Sequence, residues 1–236
     1  MGLKLARLGV AERVSTIDVL ASIAVVVGGY LLGSVPIGAL VCRVGFRVDI
    51  LDQGSGRSGA TNVLRTVGVG AAGIVLMGDV LKGLIPVLVG RIFFGHLPLV
   101  PILAGLAAMT GHNWSIFLGF RGGRGVATSF GTFMAVAPIT ALVGLPLGVG
   151  TIAIARYVSL GSLVGALGFL AATIVFYALG LGVTGYHLFL IAVINVFLIS
   201  QHWDNLQRLF AGTERRLAPW PDVIAGWGGR HRGSTR

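Results

Sequence analysis

Apolar residues run along this chain in long blocks, at about 17–41, 67–89, 99–113, 126–155, 158–180 and 185–201. A helix needs about 20 apolar residues to cross the hydrocarbon core of a bilayer. The stretch Ile17 to Val41, with Asp18 as its one acidic residue, and Val158 to Leu179, with none, both suffice. The first block is too long for a signal-peptide core, and no small-residue cleavage site leads from it into a polar chain. It is therefore expected to stay as a membrane helix. The fold class predicted is an all-α integral membrane protein.

Between the blocks lie polar stretches at 42–66, 114–125 and after Ser200, and these carry most of the arginines. Basic loops collect on the cytoplasmic side, so all three should share it. Six crossings cannot satisfy that requirement. The block 126–155 is long for one helix and contains Pro138 and Pro146. Proline removes a helical hydrogen bond and clashes with the preceding turn. A break near Pro138 raises the count to seven, with the N-terminus outside and the tail inside; a re-entrant pair of half-helices is the other reading. One membrane domain is expected over 1–236, with an N-terminal tail at 1–16 and a basic cytoplasmic tail at 203–236.

Composition agrees: 55% of residues are hydrophobic and 11% charged, and the mean hydropathy is +0.89. A soluble domain carries about 25% charged residues, so these cannot build a water-facing surface. The formal net charge of +10 is read as attraction to anionic headgroups and cytoplasmic placement, not as nucleic-acid binding. Lys4, Arg7 and Arg13 give the N-terminal segment a weak bias, whereas Arg208, Arg215, Arg216, Arg230, Arg232 and Arg236 make the tail basic. The single cysteine, Cys42, excludes an internal disulfide. Most of the 38 glycines need only close helix packing as their explanation.

Candidate chemistry sits in the polar stretches. Gly54, Gly56 and Gly59 match G-x-G-x-x-G, but between membrane helices, where neither a dinucleotide fold nor a P-loop is available. What survives is the ability of glycine-rich backbone to point N–H groups at an anion. Ser55, Ser58, Thr61 and Asn62 add side-chain donors, and Arg65 adds a forked cation. A second loop places Arg121 and Arg124 around Gly122 and Gly123, directly before a helix, again an arrangement suited to an anion. His112 precedes it, with a catalytic and a structural reading both open. Ser159 and Ser162 share a helix face, as do His202 and Asn205. Membrane serines also bond simply to backbone carbonyls. Asp79 and Lys82, three apart within an apolar block, can pair on one face, as a functional site or a structural ion pair.

Taken together these stretches resemble the bacterial acyl-phosphate:glycerol-3-phosphate acyltransferases. The likeness runs from Gly33-Ser-Val-Pro-Ile-Gly38 to His202. It is carried by GSGRSGATNVLR, the Asp79/Lys82 segment, GH…GFRGGRGVAT and RYVSLGS, in that order. The resemblance implies seven transmembrane helices in the bacterial inner membrane and an active site facing the cytoplasm. It also implies transfer of an acyl group from acyl-phosphate to the 1-hydroxyl of glycerol 3-phosphate, giving lysophosphatidate and inorganic phosphate. Ser55, Arg65, Arg124, Ser162, His202 and Asn205 match the family's active-site positions, with backbone donors around Gly54 and Gly122. The chain departs from the family pattern at Arg57, where Asn is usual, and at Arg121 and Arg124, where Lys is usual. His-Arg-Glu-Asn becomes His202-Trp-Asp-Asn205, and Asp-Ile-Arg becomes Asp49-Ile-Leu51.

An acyl-phosphate is already activated, so the expectation is catalysis by positioning and charge stabilisation, with no cofactor and no metal. The expected catalytic residues are His202, Asn205 and Ser162. Phosphate binding is expected from Gly54, Ser55, Gly56, Gly59, Thr61, Asn62, Arg65, Arg121, Gly122, Gly123 and Arg124, with support from Asp79, Lys82, His112 and Ser159. His202 either orients glycerol phosphate or acts as general base. The His-x4-Asp pair of acyl-CoA-dependent acyltransferases is absent: the fifth residue after His96, His112, His187 and His202 is never acidic. The aspartate cluster of CDP-alcohol transferases is absent as well. An anion or phosphate channel is the competing class; it needs polar lining through the full membrane depth. The expected partners are the two substrates and membrane lipids.

Overall fold

The structure is a computed structural model and describes residues 15–223. Lys4, Arg7, Arg13, Arg230, Arg232 and Arg236 lie outside the described residues. Those described fold into ten α-helices: α1 Thr16–Ser34, α2 Ile37–Phe46, α3 Ala60–Thr66, α4 Val69–Phe93, α5 Leu99–Asn113, α6 Val126–Val136, α7 Pro138–Ala155, α8 Val158–Ala178, α9 Gly185–Gln201 and α10 Trp203–Phe210. Four stretches are long and apolar enough to cross a bilayer, namely Thr16–Phe46, Val69–Phe93, Pro138–Ala155 and Val158–Ala178, and α9 with α10 makes a fifth if its bend is allowed. α5 and α6 have 15 and 11 residues. At about 1.5 Å per residue they are short for the hydrocarbon core.

Seven apolar columns result among the described residues: α1 with α2, then α4 to α9. Their outer faces carry exposed Ile92, Leu142, Ile154 and Val196, which suits a lipid environment. Inside, Val87, Ile102, Met109, Phe133, Phe169, Leu190 and Ile194 form one buried cluster. Cys42, Ile50, Val63 and Val75 form another beneath the 50–67 region.

The expected break falls at Ala137, where α6 ends, and Pro138 opens α7. Proline is tolerated at a helix start because its missing N–H would have no partner there. The hydroxyl of Thr140 donates to the carbonyl of Ala137 at 2.6 Å. The first block differs from expectation, because it is broken at Val35 and Pro36. Pro36 has no N–H to continue the ladder, and the carbonyl of Val35 instead accepts from Lys82 at 3.0 Å. Residues 203–223 also differ. They were expected to belong to a tail, but α10 turns 59° from α9, and the chain then returns across the bundle. Leu217 N–H donates to Arg156 O at 2.8 Å, the Trp220 indole donates to Ala153 O at 3.2 Å, and Arg216 stacks 4.9 Å over Tyr157.

Candidate active site

One end of the bundle collects the starts of α4, α6 and α8 and the ends of α5, α7 and α9, and the polar loops meet there. The first loop is built around Asn62. Its amide donates to Ile50 O at 3.2 Å, to Gln53 O at 2.9 Å and to Arg57 O at 2.9 Å, and its carbonyl accepts from Ser55 N–H at 3.1 Å. Every polar atom of Asn62 is thus spent within the loop. Gly54 has φ +59°, and a Cβ there would meet the Asn62 carbonyl oxygen. Gly54 and Asn62 therefore shape the loop, and Asn62 joins Ser55, Gly59, Thr61 and Arg65 in lining the cavity beneath it. Gly56 stands outside the lining. Arg65 donates to Arg215 O at 3.1 Å, and burial pushes its guanidinium below the usual arginine range.

The second loop folds down onto the end of α5. Gly123 N–H donates to His112 O at 3.1 Å. A Cβ on Gly122 would strike that carbonyl, and one on Gly123 would strike the His112 ring. The glycine pair accordingly serves close approach, with the Gly123 N–H already engaged. Arg124 is delivered into the cavity. Its Nε is buried without a protein partner. Burial, then Arg57 and Arg208, pushes its pKa down to about 10, which leaves it charged at neutral pH. Arg121 points elsewhere: it is exposed and sits near enough to Asp49 to help hold that carboxylate low, after Arg43 and the Leu51 N–H.

α8 and the end of α9 supply the third wall. Ser162 donates to Val158 O at 2.8 Å, which leaves its lone pairs toward the cavity. His202 is buried, with Nδ1 2.8 Å from Leu198 O. A carbonyl only accepts, so Nδ1 carries the proton and Nε2 is the free acceptor of the neutral ring. Glu214 joins these elements. Its carboxylate accepts from Ser159 Oγ at 2.8 Å, Asn205 Nδ2 at 2.7 Å and Arg208 Nε at 2.8 Å. Those bonds hold its pKa below the usual carboxylate range despite burial. Glu214, Arg208 and Arg57 were not among the expected site residues. An isolated glutamate in a basic tail carries no local signal, and only the departure from Asn drew notice to Arg57.

Below lies the buried ion pair of Asp79 and Lys82, at 2.9 Å, with His112 Nδ1 3.6 Å from the same Asp79 oxygen. Asp79 is ten residues into α4, about 15 Å along its axis, so the His112 junction lies well inside the bundle. Asp79 and His112 reach the cavity wall, while Lys82 stands behind it and ties α4 to the end of α1.

The cavity has a volume of about 590 Å³. Its mouth is polar, with Arg57, Arg65, Arg124, His202 and Asn205; it continues between α6, α7 and α8 along Phe133, Gly144, Gly148, Gly165 and Phe169. None of Arg57, Arg65 and Arg124 pairs with a carboxylate among the described residues. A cationic mouth over an apolar channel suits a substrate with an anionic head and an alkyl tail. A channel for free anions needs polar groups throughout its depth.

A family profile described as glycerol-3-phosphate acyltransferase matches residues 23–212. The chain belongs to the glycerol-3-phosphate acyltransferase family. It is an acyltransferase and a multi-pass membrane protein. The glycerol-3-phosphate acyltransferase of Thermus thermophilus is 46% identical over 188 residues, covering 80% of this chain and 91% of that protein. That of Thermoanaerobacter pseudethanolicus is 40% identical over 195 residues, covering 82% and 94%. The crystal structure of PlsY, an integral membrane glycerol 3-phosphate acyltransferase, in its glycerol 3-phosphate form is 35% identical with a TM-score of 0.78, covering 86% of this chain and 98% of that one. Its lysophosphatidic acid form superposes with a TM-score of 0.77 at 35% identity, covering 87% and 99%.

Proposed function

We propose that the protein transfers a fatty acyl group from acyl-phosphate to the 1-hydroxyl of glycerol 3-phosphate, at the cytoplasmic face of the bacterial inner membrane. The products are lysophosphatidate and inorganic phosphate. The observation that carries this reading is the join of three carboxylate-free guanidinium groups, Arg57, Arg65 and Arg124, to an apolar channel within one cavity. Both proposed substrates bear phosphate, and the donor also bears an alkyl chain for the space beside Phe133 and Phe169. The PlsY forms with glycerol 3-phosphate and lysophosphatidic acid support the acceptor and the product.

In this reading the acceptor hydroxyl attacks the acyl carbon. A new ester C–O bond forms and the acyl–phosphate C–O bond breaks. The electron pair of the broken bond leaves with phosphate, and the hydroxyl proton reaches that phosphate directly or through His202 Nε2. Arg65 and Arg124 hold phosphate oxygens through charge-assisted hydrogen bonds, roughly twice as strong as neutral ones. Asn205, oriented by Glu214, and Ser162, with its lone pairs toward the cavity, position the acceptor. Most of the acceleration comes from placing two anions in a partly dehydrated, pre-charged site. The test is purified protein with glycerol 3-phosphate and either palmitoyl-phosphate or palmitoyl-CoA. Lysophosphatidate is expected from the acyl-phosphate without added metal or CoA. Equal or faster turnover of the CoA ester overturns the assignment.

A further inference from the structure

We propose that Arg57 is a substrate-binding residue, forming with Arg124 a two-guanidinium clamp for a phosphate separate from the one that Arg65 holds. The proposal rests on the two-phosphate reading of the site and adds the division of its cations.

Arg57 reaches from the first glycine loop over the second. Its contacts, one Nη1 to Gly123 O and to Gln201 Oε1, are both 3.4 Å long, near the outer limit for a hydrogen bond. A guanidinium has five donors, so most of its capacity is unused although the residue is only half-exposed and lines the cavity. Beside it, Arg124 has a buried Nε with no protein partner. The carboxylate closest to hand, Glu214, is taken by Ser159, Asn205 and Arg208.

The cations fall into two groups. Arg57 reaches Gly123 O, the residue before Arg124, and helps to lower the Arg124 pKa, while Arg65 holds the backbone carbonyl of Arg215. Two like charges held together in a half-dehydrated wall repel each other. A dianionic phosphate placed between them reverses that repulsion and supplies acceptors for the unused donors. One group of guanidinium forks for each of two phosphates fits a reaction whose substrates both carry one. A lone asparagine at position 57 would leave Arg124 with only Arg208, already paired with Glu214, as a neighbouring cation on its side.

The alternative role for Arg57 is a tie between loops, and the variants separate the two. KM is measured for glycerol 3-phosphate and for palmitoyl-phosphate in wild type, Arg57→Gln, Arg57→Lys and Gln201→Ala, with inorganic phosphate as a competitive inhibitor. The clamp predicts that Arg57→Gln raises KM for one of the two substrates by about 10- to 100-fold, the worth of one or two charge-assisted bonds. The other KM should stay within about 3-fold, and phosphate inhibition should weaken in parallel. Arg57→Lys should recover most of the loss, and Gln201→Ala, which removes only the side-chain tie, should leave both KM values unchanged. The affected substrate identifies the clamped phosphate. Unchanged KM values in Arg57→Gln, an equal rise in both, or a Gln201→Ala defect matching Arg57→Gln overturns the proposal. If Arg57→Gln does not fold, phosphate inhibition of Arg57→Lys decides: potency within about 10-fold of wild type supports the clamp, and a larger loss overturns it. Failure of wild type to use palmitoyl-phosphate would sink the donor assignment alone, because phosphate binding to the same variants, read by calorimetry, still tests the clamp.

Discussion

Replacing Glu214, in the cavity wall, by alanine should disable the site through the groups that it holds. The carboxylate is the shared acceptor for Ser159, Asn205 and Arg208, and its side chain is 5% exposed. A hydrogen bond to a charged group contributes about 1.5–3 kcal/mol net. The Arg208 bond involves a side chain that is 39% exposed, so water can replace it and its share is at most about 1 kcal/mol. The Ser159 and Asn205 bonds are part-buried and together contribute at most roughly 3–6 kcal/mol to the local arrangement. If about 3 kcal/mol of that is lost from the transition state because Asn205 is no longer held, kcat/KM falls on the order of 100-fold. Glu214→Gln keeps an acceptor oxygen and removes the charge, so it should fall between wild type and alanine. The pH dependence has a definite sign. The folded-state pKa of Glu214 lies below its usual value, so its contribution is complete above the ordinary glutamate range and is lost as pH falls through the depressed value. Wild type should therefore keep the contribution at mildly acid pH and lose it only below the ordinary range, whereas Glu214→Gln should lack that acid-dependent loss. The assay is steady-state kinetics with thermal unfolding in one detergent, carried from pH 8 down to about pH 3 so that it passes below the ordinary glutamate range. Wild-type kcat/KM and wild-type melting in Glu214→Ala would refute the idea that this carboxylate organises the site.

Arg65→Ala and Arg124→Ala should each lower kcat/KM by about 30- to 1000-fold, or about 2–4 kcal/mol, with Arg124→Lys milder because the charge survives. Arg215→Ala is the control: its side chain is exposed and only its carbonyl serves Arg65, so kinetics of the four variants should show it near wild type. Gly123→Ala should lower stability by about 1–3 kcal/mol, since its Cβ would meet the His112 ring and overpacking costs that much, and kcat/KM by about 5- to 150-fold if the same energy is lost from the transition state; a normal melting curve and normal rate would contradict the close-approach account. Reporter tags at the N-terminus and after Arg236 should lie on opposite sides of the membrane, the C-terminal tag inside; tags on the same side would remove the odd number of crossings.

The membrane class, the helical columns and the break before Pro138 were legible in the chain itself. Inside a bilayer backbone donors and acceptors must bond within the protein, so long apolar runs form helices; a proline marks the breaks at Pro36 and Pro138, whereas Pro86 and Pro146 are carried inside α4 and α7. The motifs were equally local, and most of their residues reach one cavity. Tertiary structure alone decided how they are used. It spent Asn62 on the loop, turned Gly122 and Gly123 toward the end of α5, left Arg121 outside and brought Arg57 beside Arg124. It also made 203–223 part of the fold and seated Glu214 against Ser159, 55 residues away in sequence. A lone glutamate among arginines gives no periodic or spacing signal. Its meaning arises only when helix ends from distant segments converge and a buried carboxylate must find donors to remain charged.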